Sequence, residues 1–144
     1  MRSIDWKRPI MFTVLAVSMP GVIAACQCAV PHAPKAAELS DIVFRGVLTE
    51  HKGNAAVFRV REQWKGSVGS SIEIEWRLGD GGDCDGFWTR DLKIGNELLV
   101  FAKRGRDGIY RTTICLPTTL VAISQEQLRE LGPGKPPEMS DKDK

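Results

Sequence analysis

The sequence predicts an all-β domain: five strands closed into one small barrel, with a short helix before them and another after. Three observations lead there. Apolar residues recur at alternate positions in successive stretches, the spacing of strands that bury one face. Clusters of Gly, Asn, Asp and Ser separate those stretches at turn-like intervals. The composition, 42% hydrophobic and 26% charged over 144 residues, suits one globular core. It excludes a coiled coil, a mostly disordered chain and a large multidomain enzyme. Closure into a barrel follows from the small strand number, because a short open sheet leaves unpaired edges. A two-sheet sandwich would ask for about seven strands.

Each element has its own justification. The alanine-rich stretch from Pro34 to Ser40 reads as one or two helical turns. From Ile42 to Thr49, Ile42, Phe44 and Leu48 share a side with Gly46 between them, and His51 to Asn54 form a turn. The stretch from Ala55 to Trp64 is a long strand with Ala56, Phe58, Val60 and Trp64 inward and Arg59, Arg61 and Gln63 outward. Lys65 to Ser71 turn again. Ile72, Ile74, Trp76 and Leu78 then alternate with Glu73, Glu75 and Arg77, the clearest half-buried strand in the chain. Gly79 to Lys93 form a Gly- and Asp-rich loop carrying Cys84, Phe87 and Trp88. Leu98 to Ala102 are apolar on both sides, which marks a central strand. Ile109 to Ile114 form the fifth strand, ending at Cys115. A last helix starts at Ser124, with Gln127 completing a capping box, Ile123 and Leu128 as a hydrophobic staple, and Gly132-Pro133 as the stop.

The N-terminus sets the compartment. Arg2, Lys7 and Arg8 precede a mostly apolar run from Ile10 to Ala25, broken by Ser18 and Pro20 and ending in small residues. This is the pattern of a secretory signal peptide over residues 1–25, too short and too interrupted for the roughly 20 residues that span a bilayer. The reading gives a domain over residues 26–131 and a flexible polar tail over 132–144. Without the leader the chain carries 17 basic and 17 acidic side chains, so its net charge of +2 belongs to the leader. Zero charge together with export argues against a nucleic-acid footprint. Ile23-Ala24-Ala25-Cys26 is also similar to a bacterial lipobox, in which Cys26 would carry a lipid and anchor the protein in the envelope. Cleavage after Ala25 would instead leave an unmodified Cys26 at the terminus.

The four cysteines, Cys26, Cys28, Cys84 and Cys115, read as two disulfides in an exported domain. A Cys26–Cys28 bridge closes a strained ring, which leaves each N-terminal cysteine tied to one distant partner in either of two ways. Bridges that long are worth on the order of 4 kcal/mol each in the chain-entropy model. The spacing does not fit a zinc knuckle.

An exported chain starting Cys26-Gln27-Cys28 resembles the netrin-like modules, and within them the N-terminal domain of the tissue inhibitors of metalloproteinases and their bacterial relatives. The resemblance continues through Pro31-His32-Ala33-Pro34, the helical Lys35 to Ser40, the stretch from Asp41 to Leu48, and Val60-Arg61-Glu62-Gln63-Trp64-Lys65-Gly66. It runs from Cys26 to about Ile123. It implies an OB-type barrel, the pairings Cys26–Cys84 and Cys28–Cys115, and a protein-binding role. In that family the N-terminal α-amine and carbonyl chelate the catalytic zinc of a protease and displace its attacking water. Carried over, Cys26 would be the chelating residue, with Gln27, Cys28, Ala29, Val30 and the loop residue Trp88 as partner contacts. The third disulfide and the C-terminal domain of the animal inhibitors have no counterpart. Gln27 stands where those inhibitors carry a small polar residue, which alters the fit to a protease's specificity pocket. The alternative reading is a lipid-anchored or free envelope scaffold or adhesion module without inhibitory activity.

Other residues offer less. Asp80, Asp83 and Asp85 lie close together but lack the spacing and terminal Glu of a calcium loop. His32 and His51 sit near turns in no ligand pattern. Trp64 and Trp76 read as core, and Lys103, Arg104 and Arg106 as a solvated hairpin. No set of residues makes a catalytic constellation, so the sequence points to a protein that is not an enzyme and needs no cofactor or metal of its own.

Overall fold

A computed structural model describes residues 28–75 and 92–138. Within them lie helix α1 (Ala33–Leu39), strands β1 (Ile42–Lys52), β2 (Ala55–Lys65), β3 (Ser71–Glu75), β4 (Glu97–Arg104), β5 (Tyr110–Arg111) and β6 (Thr119–Leu120), a 3-10 turn (Val121–Ile123) and helix α2 (Gln125–Leu131). The sheet runs β1-β2-β3-β5-β4-β6, and β1 also pairs with β4. That extra pairing closes β1, β2, β3, β5 and β4 into a five-stranded barrel. Every neighbouring pair is antiparallel except β3 with β5, a parallel contact at Glu75 and Arg111.

Apolar alternation fills the barrel as the sequence leads one to expect. Ile42, Phe44 and Leu48 of β1, Ala56, Phe58 and Val60 of β2, Ile74 of β3 and Leu98, Val100 and Ala102 of β4 form one buried cluster with Val68 and Leu92. Phe44 and Phe58 meet edge to face, 5.7 Å between centroids, a favoured geometry for aromatic rings. Gly46 makes room for this pair. A Cβ there would stand 3.0 Å from the Phe44 ring and 3.1 Å from the Arg59 carbonyl.

A second cluster lies outside the barrel wall. Val43, Leu99 and Phe101 turn away from the interior and pack with Ala33 and Ala36 of α1, Leu116, and the partly buried Trp64, Leu128 and Leu131. The doubly apolar β4 is therefore explained: it is walled by the barrel core on one face and by the two helices on the other.

Several expectations need correction. Trp64 and Gln63 occupy the reverse of their expected faces. The β1–β2 register shifts between Arg45/Gly46 and again between Val43/Phe44. Each shift gives β2 an extra residue, and an extra residue reverses the side on which later side chains fall. Gln63 is thus only 6% exposed, and Trp64 joins the outer cluster. The fifth strand, expected over Ile109 to Ile114, is two residues long. Beyond it Thr112 turns inward to Thr118, and a turn closed by Leu116 N–H on the Thr113 carbonyl leads the chain to its disulfide at Cys115. The first helix covers Ala33–Leu39 rather than Pro34 to Ser40, with Ser40 as its C-cap.

The C-terminal helix forms, but not by the expected devices. The Ser124 side chain makes no cap bond to the helix and donates instead to the Val121 carbonyl. The Gln127 side-chain oxygen has no hydrogen-bond partner, so there is no capping box. Ile123 is 75% exposed and staples nothing, because the 3-10 turn rotates it outward. Gly132 does end the helix, at φ 70°. The segment from Gly134 to Glu138, expected to belong to a flexible tail, is bound to the end of β2. The expectations for residues 1–25, 76–91 and 139–144 lie outside the described residues.

Candidate functional site: the tethered N-terminal segment

The described chain begins at Cys28, which is bonded to Cys115 with a Cα–Cα separation of 5.4 Å. This is one of the two pairings the resemblance implies. The bond spans 87 residues and holds the chain start against the outer cluster beside Leu116. Ala29 and Val30 then run exposed, Val30 at 46%. Pro31 and His32 lead into α1, where Pro34 stands in the first turn. Proline suits that position because its missing N–H would have no helical partner.

Helix α1 is pinned at both ends by side chains from distant parts of the chain. Its N-terminus has no side-chain cap from His32. The Ala33 N–H donates instead to the Glu130 carboxylate of α2, 3.2 Å away, where a negative group also meets the positive end of the helix. At its other end the Lys65 ammonium donates to the carbonyls of Ala37 and Glu38, at 2.9 and 3.0 Å. The Ser40 hydroxyl donates to the Ala36 carbonyl at 2.8 Å. A seven-residue helix is too short to hold itself together in water, and these contacts fix it. The disulfide and the pinned helix together fix the segment from Cys28 to His32 against the fold.

The segment Glu62 to Gly66, on which part of the resemblance rests, lies behind this site. The Gln63 amide donates to the Pro136 carbonyl at 2.9 Å and accepts from the Val68 N–H at 2.9 Å. The Trp64 indole N–H donates to the Gly132 carbonyl, and Lys65 caps α1. Gly66 takes φ 79°, and a Cβ there would stand 2.6 Å from the Ile42 side chain and 2.8 Å from the Asp41 carbonyl. These residues are structural: they join the barrel to both helices. Sequence reasoning missed Glu130 and this clasp. The adjacent amphipathic pair Gln63-Trp64 at a strand end was the available signal.

Several charged groups elsewhere are in pairs. Arg45 grips Glu97 through two bonds of 2.8 and 3.1 Å, which raises the guanidinium pKa. Lys35 lowers the Glu38 pKa through its hydrogen bond, and Glu73 raises that of Lys52 in the same manner. Arg111 bonds both oxygens of Asp107, at 2.9 and 2.6 Å, and also pairs with Glu75. Its bond holds the Asp107 carboxyl down at about 2. In the expected basic hairpin, Arg104 lies over the Tyr110 ring at 5.7 Å, while Lys103 and Arg106 are exposed.

Of the expected site residues the structure places Cys28, Ala29 and Val30 on one segment, Cys28 half-buried in its disulfide and Ala29 and Val30 exposed. Cys26, Gln27, Cys84 and Trp88, and with them the Cys26–Cys84 pairing, lie outside the described residues. His32 stands at the start of α1 and His51 near the β1–β2 turn. Among the described residues no group of three or more His, Cys, Asp or Glu is placed to hold a metal ion. No protein-family model matches the chain, and no similar sequence was found among curated proteins.

Proposed function

We propose that this chain is an exported, netrin-like protein-binding module that presents its N-terminal segment to a partner, and that the partner is a zinc metalloprotease inhibited through Cys26. The observation that carries the reading is the Cys28–Cys115 bond. It ties the N-terminal segment to the barrel and leaves Ala29 and Val30 exposed beside it. The strand ring β1-β2-β3-β5-β4, with β3 and β5 parallel, supports an OB-type barrel, as do the single short helices before and after the strands.

The chemistry follows from position. An α-amine titrates near about 7.7–8.0, so a fraction is free of its proton near neutral pH, and coordination to zinc would favour that form. Tethering two residues downstream removes much of the ordering cost that a loose terminus pays on binding. The Cys26 amine and carbonyl would then take the position of the protease's attacking water, with Gln27 entering the specificity pocket and Ala29 and Val30 along the rim.

Processing decides whether this chemistry is available. The intact mass of the mature protein from its native host, with fragmentation of the N-terminal peptide, tests it. An unmodified Cys26 at the terminus and a gain of about four daltons on reduction, one hydrogen per sulfur of two bridges, agree with the proposal. A diacylglyceryl mass on Cys26 would end it and leave an envelope-anchored scaffold.

A further inference from the structure

We propose that the outer edge of β2 at Glu62–Lys65 is a strand-acceptor site for extended peptides of the type Gly-x-x-x-acid, occupied in cis by the chain's own residues 132–138. This rests on different residues from the N-terminal reading and stands or falls without it.

Closing a barrel removes sheet edges, but among the described residues the end of β2 leaves a short one. The pairing of β2 with β3 ends at Arg59 and Ser71, with one further bond from Val60 N–H to the Ser70 carbonyl. Beyond that point β2 continues to Lys65, and among the described residues no strand of the ring lies on that side. An edge with open main-chain donors and acceptors is a template for another extended segment. Residues 132–138 fill it. Gln63 and Lys135 exchange both main-chain bonds, at 2.8 and 2.7 Å, and the Glu138 N–H reaches the Val68 carbonyl at 2.9 Å.

The seat has side-chain specificity as well. The nearly buried Gln63 amide reads the Pro136 carbonyl, the Trp64 indole reads the Gly132 carbonyl, and the Glu62 carboxylate accepts the Gly134 N–H at 2.8 Å. Ser67 bonds the Glu138 carboxylate. Position 134 admits only glycine: a Cβ would stand 2.5 Å from Glu62 Cγ and 2.9 Å from the Gln63 carbonyl. Lys135 and Pro136 face solvent, so any side chain serves at the position of Lys135. The seated segment is thus read through its backbone, one glycine and one acid.

The test uses the full chain and a fluorescent peptide Gly-Pro-Gly-Lys-Pro-Pro-Glu. The substitution Gly134→Val expels the segment by the clash above and leaves the seat intact. The variant is expected to bind the peptide at least about tenfold more tightly than the wild type, whose own segment competes at a high effective concentration. The same peptide with Ala for its second Gly is expected not to bind. A folded Gly134→Val protein that ignores the peptide overturns the proposal. Should the variant dimerise, dissociation by the peptide supports the acceptor site, and a dimer unmoved by saturating peptide contradicts it. Should it fail to fold, hydrogen exchange on the wild type decides. Amides of Gln63 and Lys135 that open well before that of Phe101 support a displaceable segment, and exchange only with global unfolding overturns it.

Discussion

The indole N–H of Trp64 donates to the carbonyl of Gly132 at 2.8 Å, joining the end of β2 to the residue that stops α2. A strand end, a helix end and the segment that follows are thereby held at one point. Lys65, the next residue, holds the opposite end of the helical layer by capping α1. The barrel core and the outer layer are thus coupled through two consecutive side chains, and the N-terminal segment inherits its orientation from that coupling.

The tether is expected to dominate stability. Replacing Cys28 or Cys115 by Ser frees a loop of 87 residues and should cost about 4–5 kcal/mol in the chain-entropy model, a large share of the stability of a domain this size. Denaturant unfolding checks it. The double variant should match the singles, since either change breaks the same bond.

Two glycines separate conformational strain from collision. At Gly53, with φ 59°, a Cβ would have nothing within 4 Å, whereas at Gly66, with φ 79°, it would meet Ile42 at 2.6 Å. Gly53→Ala should cost about 1 kcal/mol, the penalty of a left-handed residue. Gly66→Ala should cost clearly more, about 2–3 kcal/mol. Equal losses in thermal unfolding would contradict the packing described at Gly66.

Thr118 substitutes for a strand. Between the contacts of β4 with β6 at Leu99 and with β5 at Lys103, the Phe101 N–H donates to Thr118 Oγ1 at 2.9 Å and the Phe101 carbonyl accepts from it at 3.2 Å. Thr112 Oγ1 completes the set at 2.8 Å. Thr118→Val leaves these buried groups unpaired and should cost about 2–4 kcal/mol. Adding Thr112→Val should cost less than its effect alone, a non-additivity that a double-mutant cycle measures.

The Asp107–Arg111 pair sets an acid limit. The Asp107 pKa is lowered from 3.8 to about 2, chiefly by its hydrogen bond to Arg111. A depressed carboxyl contributes stability that is fully present above its unfolded value and lost as the pH falls through the folded one. The stability difference between wild type and Asp107→Asn should therefore be constant above about pH 5 and shrink as the pH falls from about 4 to 2. A difference that grows on acidification would contradict the pairing.

The barrel was legible because alternation is a local property. Ile42, Phe44, Phe58, Ile74 and Val100 fall where a period of two puts them, and the doubly apolar Leu98 to Ala102 announced a strand covered on both faces. Bulges were not legible, since the register shifts that reverse Gln63 and Trp64 depend on the partner strand. The capping box at Ser124 failed for a related reason. The local pattern was present, but a 3-10 turn ahead of it took the serine side chain. The binding of residues 134–138 to β2 joins positions some 70 apart, and only tertiary contact reveals it. Of the candidate site, the Cys28–Cys115 pairing came from the resemblance, whereas Glu130 and Lys65, which orient α1, carry no local signature.

The most direct test of the N-terminal reading is a titration of zinc endopeptidase activity with two forms of the protein, one beginning at Cys26 and one carrying an added alanine before it. Inhibition by the first and its loss by about a hundredfold or more in the second, as expected when a zinc ligand is removed, is the predicted result. Equal potency of the two forms, or no inhibition by the form that begins at an unmodified Cys26, would contradict the account.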